Sequence, residues 1–279
     1  MVKPSIGRKL AFVHIHKTAG TTLHDVIYHQ LGRIAFHPRY AESDFPLLRD
    51  GREFMKKFPR LDTDMQRTYI EELRHFNAIG GHTPFGIHNL FSDDFDHVTV
   101  LRNPWDRFVS YYHHHLNPRN PNQRQHFERI RNLPLEDYCK VQEIRPMIDN
   151  RSIRMLARVP SKLSVERQHL DRAVENLQSF RWILFQHALA AGIDQLAVDL
   201  QWREVSIPAL KLSETGERHS EVYDELSSTQ REAIYPLIKY ELDLYSHALN
   251  LDSSISKPNS PLQRTIQTSA TKRITHKGL

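Results

Sequence analysis

Two short stretches of the chain concentrate residues suited to holding anions. The first, Phe12-Val-His-Ile-His-Lys-Thr-Ala-Gly-Thr-Thr-Leu23, reads as a strand that runs into a tight loop and opens a helix. Amides at a helix start lack intrahelical acceptors and the helix dipole adds positive potential, so a phosphate there takes several N–H bonds at once. Gly20 permits close backbone approach, Thr21 and Thr22 offer hydroxyl donors, and Lys17 supplies a full charge. Thr22 followed by Asp25 has the spacing of a capping pair, which places the helix start on local grounds alone. Lys17 precedes Gly20, so the order is not that of the nucleoside-triphosphate loop G-x-x-x-x-G-K-[ST], and kinase or ATPase chemistry is disfavoured.

The second stretch is Arg102-Asn-Pro-Trp-Asp-Arg-Phe-Val-Ser-Tyr-Tyr-His113, directly after an apolar run ending at Leu101. Asn103 suits an N-cap, Pro104 the first helical position and Asp106 the third. Trp105, Phe108, Val109, Tyr112 and Leu116 fall on one stripe, which reads as the buried face, with Ser110 beside it. Arg102 stands at the strand end, where open α/β sheets place ligands, and its planar fork matches a phosphate. Two such sites on separate strand–helix units suit one ligand that carries two separated phosphate groups.

The elements that must position these residues follow from the apolar pattern. Short apolar runs at Leu10–Ile15, Ala78–Gly81, Val98–Leu101 and Trp182–Phe185 read as buried parallel strands. Helical spacing appears at Leu170, Ala173, Val174 and Leu177, and again at Leu189, Ile193, Leu196, Ala197 and Leu200. A last helix carries Ile234, Ile238, Leu242, Tyr245 and Leu249, with Pro236 implying a kink or a late start. The alternation predicts an α/β fold: three layers, with a central, mainly parallel sheet flanked by helices.

The domain is expected to span residues 1–251, followed by a disordered basic tail over residues 252–279 that is rich in Ser, Thr, Pro and Lys. Lys257, Arg264, Lys272, Arg273 and Lys277, against the single acid Asp252, place nearly all of the formal +5 in that tail. The body is therefore close to neutral, which argues against a nucleic-acid partner. No run approaches the roughly 18 apolar residues of a membrane span, so no membrane anchor is expected. Cys139 is the one cysteine, which fits a reducing, cytoplasmic setting.

His16-Lys17-Thr18-Ala19-Gly20-Thr21-Thr22 and Leu101-Arg102-Asn103-Pro104-Trp105-Asp106-Arg107-Phe108-Val109-Ser110 resemble the 5′-phosphosulfate and 3′-phosphate motifs of the carbohydrate sulfotransferases, the heparan sulfate 6-O- and 2-O-sulfotransferases in particular. A third stretch, Asn150-Arg151-Ser152-Ile153-Arg154-Met155-Leu156-Ala157, resembles those enzymes' Asn-Arg-Gln-x-Arg-Met-Leu-Ala segment. The resemblance implies a P-loop-like sulfotransferase fold and 3′-phosphoadenosine 5′-phosphosulfate (PAPS) as co-substrate. It further implies a hydroxyl acceptor, a glycan or other carbohydrate. The membrane anchor and multiple cysteines of those enzymes have no counterpart here, as in a soluble bacterial-type relative.

Carried over by motif, Lys17, Thr18, Ala19, Gly20, Thr21 and Thr22 hold the 5′-phosphosulfate, Arg102 and Ser110 hold the 3′-phosphate, and Lys211–Ser220 closes over the nucleotide. Sulfuryl transfer needs a cation on the leaving phosphate, for which Lys17 is suited, and a base for the acceptor hydroxyl. His82, after a short strand and two glycines in Ile79-Gly-Gly-His-Thr-Pro-Phe-Gly86, is the candidate base, and a histidine occupies the corresponding place in the family. His114, one turn beyond Ser110, is the candidate acceptor contact, with His113 and His115 solvated. Arg151 and Arg154 read equally as contacts to an acidic acceptor or as buttresses of the fold. His14 and His16 could share a strand face, yet no complete ligand shell for a metal is apparent. The competing classes are a nucleotide kinase or hydrolase and a non-catalytic nucleotide- or glycan-binding module.

Overall fold

The computed structural model describes residues 9–37, 39–41, 43–90, 94–116, 127–202, 205 and 222–255. Its strands are β1 (Lys9–Val13), β2 (Ile34–Ala35), β3 (Ala78–Gly81), β4 (Phe95–Leu101) and β5 (Trp182–Phe185). They form one wholly parallel sheet in the order β2-β3-β1-β4-β5. The helices in chain order are α1 (Gly20–Leu31), α2 (Gly51–Lys57), α3 (Thr63–Leu73), α4 (Pro104–Leu116), α5 (Leu135–Tyr138), α6 (Arg145–Ile148) and α7 (Arg151–Leu156). They continue as α8 (Arg167–Gln178), α9 (Leu189–Asp199), α10 (Val222–Glu225) and α11 (Ser228–Ile255).

The strands have period two and bury both faces, which produces the three layers. On one face Leu10, Phe12, Val98, Val100 and Leu184 pack against Leu23, Val26 and Ile27 of α1 and Leu189, Ile193 and Leu196 of α9. On the other, Val13, Leu101 and Phe185 meet α7, α8 and α11. Ala11, Ala35 and Ile79 on that same side meet α2 and α3. A further apolar cluster joins α4, α5, α6 and the first half of α11 beyond the sheet.

All four expected strands are present, and β3 and β5 have the expected bounds; β1 closes two residues early, at Val13. β4 begins at Phe95 rather than Val98 because its polar residues are buried with partners. Asp96 takes Arg181 at 2.7 Å, His97 Nε2 meets His88 Nδ1 at 2.9 Å, and Thr99 Oγ1 donates to the Val13 carbonyl at 2.9 Å. α11 starts at Ser228 and carries Pro236 inside it, so the proline does not mark a late start.

The buried face of α4 is rotated from the expected stripe. Trp105, Asp106, Arg107, Phe108, Tyr111 and His115 are buried, whereas Val109, Tyr112 and Leu116 are only partly covered. His115 is thus not solvated: its Nδ1 pairs with the Tyr138 hydroxyl at 2.9 Å and its ring stacks on Phe127. His113 is exposed. The Thr22–Asp25 capping pair does not form either. The N-cap of α1 is Ala19, without a side-chain bond, and Asp25 accepts from the Tyr40 hydroxyl instead.

Candidate active site

The neighbouring tips of β1 and β4 bring the two anion-suited stretches together. In the loop after β1, Lys17 and Ala19 adopt left-handed backbone angles, φ 65° and 66°. Such angles cost non-glycine residues about 1–2 kcal/mol each and gather at functional sites. Thr18, 1% exposed, spends its hydroxyl on the Ile15 carbonyl at 2.9 Å and so pins the turn. The first turn of α1 follows with no side-chain cap, in contrast to α2, α3 and α4, whose first amides donate to the side chains of Asp50, Asp62 and Asn103. Thr21 is exposed at this bare helix end and Thr22 is buried behind it. Gly20 is required for a reason the sequence did not suggest: an added Cβ would lie 2.1 Å from the His14 ring.

From β4, the Arg102 guanidinium reaches across and donates through Nη1 to the Lys17 carbonyl at 3.3 Å. Burial holds its pKa below the ordinary arginine value, with Asp106 opposing the shift. Asn103 accepts from the Trp105 amide at 3.0 Å, so the strand–cap–helix reading holds. Ser110 is half-buried on α4.

Beside the loop lies a cluster of packed histidine rings. His82 follows β3; its Nδ1 faces the His14 carbonyl at 2.9 Å, and a carbonyl only accepts. The proton therefore sits on Nδ1, and Nε2 keeps its lone pair. The His16 ring stacks on His82 with centroids 3.5 Å apart and planes 14° apart, and the His14 ring lies 4.2 Å away. Arg52 donates through Nη2 to His16 Nε2 at 3.2 Å and through Nε to the His82 carbonyl at 3.3 Å. Burial, then the charges of Arg151 and Arg52, brings the pKa of His82 down to about 3 against the bond to His14. Burial lowers His14 and His16 likewise, so the cluster is neutral at neutral pH.

Arg151, at the start of α7, adds to the positive potential here. Burial first, then Arg52, pulls its pKa down to about 9, and its Nε is buried without a hydrogen-bond partner. Neither Arg52 nor Arg151 forms an ion pair among the described residues. Arg154 instead buttresses the fold, with Nη2 2.5 Å from Asp149 and Nη1 on the Pro160 carbonyl at 2.9 Å. His114 is half-buried, its ring 6.3 Å from Tyr111, which in turn stands edge-on to His16 at 6.1 Å. A chain of ring contacts thus runs from His82 through His16 and Tyr111 to His114. Lys211–Ser220 lies outside the described residues. Among the described residues no three His, Cys, Asp or Glu side chains are grouped to hold a metal ion, and no helix is long and apolar enough to cross a membrane.

Arg52 and Tyr111 were not singled out from the sequence. Tyr111 was hidden by the misjudged phase of α4. Asp50, as an N-cap, could have announced α2, but nothing local places that helix against the His82 loop.

A neutral imidazole with a free lone pair, beside a cationic, strained loop on an uncapped helix, is equipped for proton removal next to a bound anion. Residues 5–248 match the profile of the sulfotransferase family, and the chain belongs to that family. It is accordingly a protein built for sulfuryl transfer. No match to a curated protein was found.

Proposed function

We propose that the protein transfers the sulfuryl group of PAPS to a hydroxyl of a carbohydrate acceptor. The observation that carries this reading is the 3.3 Å bond from Arg102 to the Lys17 carbonyl, which makes the two anion-suited stretches one continuous surface. A nucleotide with phosphates at both ends of its ribose is of the size to touch both.

In this reading Lys17, Gly20, Thr21 and Thr22, with the backbone N–H groups of Thr18 and Ala19, grip the 5′-phosphosulfate, and Arg102 and Ser110 grip the 3′-phosphate. The acceptor oxygen attacks sulfur in line as the bond from sulfur to the bridging phosphate oxygen breaks. The acceptor proton passes to His82 Nε2, and 3′-phosphoadenosine 5′-phosphate (PAP) departs with the bond's electron pair. Lys17 stabilises the charge that develops on the departing phosphate. The pKa of His82 near 3 is that of the protein alone; a bound dianion beside it raises the imidazole's basicity toward the useful range. Arg151 and His114 face the acceptor, and Arg151 suits an acceptor that carries an acidic group. Residues 1–251 form the catalytic unit, with 252–279 a basic tail, and the lone Cys139 suits a cytoplasmic setting.

Calorimetric titration of the full chain with PAP, ADP and AMP tests the donor class. PAP should bind at least about 10-fold more tightly than either, since only PAP engages both arginine and lysine ends. Preference for ADP, accompanied by ATP turnover, would place the chain with kinases or hydrolases. Tight PAP binding without transfer to any of a panel of hydroxyl compounds would make it a binding module.

A further inference from the structure

We propose that Arg52 is a positioning residue of the reaction: its guanidinium clamps the His82 loop to the His16 ring and so fixes the direction from which His82 Nε2 meets the acceptor hydroxyl. The inference rests on the sulfotransferase reading above, with His82 as base.

His82 is held at three points. The His14 carbonyl takes its Nδ1–H at 2.9 Å, the His16 ring covers one face at 3.5 Å, and Arg52 Nε donates to its backbone carbonyl at 3.3 Å. The same guanidinium holds His16 through Nη2, 3.2 Å from its Nε2. Arginine only donates, so His16 Nε2 must accept and its proton sits on Nδ1, which is buried without a partner. One fork therefore sets the tautomer of His16 and the placement of His82 together, which a single-point donor does not do.

Arg52 is itself fixed. Its amide donates to the Asp50 N-cap at 2.8 Å, and Gly51 abuts the His82 loop so closely that an added Cβ would lie 2.1 Å from Thr83 Oγ1. The Arg52 side chain is solvent-exposed, and among the described residues it has no ion-pair partner, so its bonds to the two histidines are its hold on the structure. The other groups acting on His82 and His16 are His14, His24, His37 and Arg151, with Tyr111 edge-on to His16; none of them is a carboxylate.

The test is ¹⁵N-histidine NMR on the full chain, paired with steady-state kinetics, for Arg52→Ala and Arg52→Lys. In Arg52→Ala, His16 should lose its single-tautomer signature and the kcat should fall about 10- to 100-fold, as expected of a misplaced base. PAP affinity and thermal midpoint should stay parental. The acid limb of kcat should move to higher pH, because removing a nearby positive charge eases protonation of His82. Arg52→Lys should keep the limb near its parental position, since the charge remains, while kcat stays depressed because the fork is gone. Unchanged His16 and His82 resonances in Arg52→Ala would overturn the inference. So would an effect confined to the KM of the acceptor, which would make Arg52 an acceptor contact. Failure of the parent to bind PAP would strike the proposed function instead, and the histidine resonances would still decide the clamp.

Discussion

Four arginines of the second and third motifs divide into two fates. Arg107 and Arg154 are walled in beside carboxylates. Arg107 Nη2 lies 2.7 Å from Glu241 with both side chains 1% exposed, and Arg154 Nη2 lies 2.5 Å from Asp149. Arg102 and Arg151, a few residues before each, lie at the candidate site, one on the Lys17 carbonyl and the other beside Arg52. A buried cation with its counter-ion is a brace, whereas Arg151, which forms no ion pair among the described residues, is poised for an anion from outside. The two members of each pair are indistinguishable as letters in a motif; their partners distinguish them.

The largest effect is expected on the braced side. Glu241 accepts Arg107 through Oε2 and the Ser152 amide through Oε1, and so ties α4, α7 and α11 together. Asn150 supports the same junction by accepting the Tyr240 and Glu241 amides through Oδ1 at 3.0 and 3.3 Å. Glu241→Ala leaves a buried guanidinium without its partner and should cost about 3–5 kcal/mol in denaturant unfolding. A loss below about 1 kcal/mol would show that the brace is idle and erase the comparison.

On the open side the readout changes from stability to function. Arg151→Ala should lower kcat/KM for an acidic acceptor roughly 30-fold, about 2 kcal/mol, with PAP affinity unaltered. Its unfolding midpoint should not fall, because the substitution removes a cation whose charged form is disfavoured by burial and by Arg52. A stability loss like that of Glu241→Ala would move Arg151 to the braces.

The sheet was legible because buried parallel strands are apolar runs, and β3 and β5 needed nothing more. β2 escaped because two residues make no pattern, and the first half of β4 because Asp96 and His97 look like surface residues until Arg181 and His88 are seen beside them. The phase of α4 failed for the same cause. Arg107 is buried by virtue of Glu241, 134 residues further on, which no local periodicity registers. In the candidate site, Lys17, Arg102 and His82 could be named from strand ends and helix starts. The stacking of His16 on His82 and the reach of Arg52 into both depend on α2 docking against the His82 loop, a tertiary event. At Gly20 the sequence suggests close backbone approach to a ligand, whereas the His14 ring alone already excludes a side chain there.

The smallest expected effect is an absence, and it sharpens the contrast most directly. A general base acts only when unprotonated, so activity is lost as pH falls through its pKa. An ordinary histidine would impose that loss near pH 6.5. In the protein alone, burial and then the charges of Arg151 and Arg52 hold His82 down to about 3. The pH dependence of kcat/KM for the donor reports the free enzyme when acceptor is subsaturating. From pH 8 to pH 5 it should therefore show no histidine limb. The limb should enter kcat instead, at a higher pH, because the bound phosphosulfate offsets the two arginines that depress His82 in its absence. A limb near pH 6.5 in kcat/KM, in addition to the one that the donor's own 3′-phosphate contributes near pH 6, would mean that Arg151 and Arg52 do not depress His82.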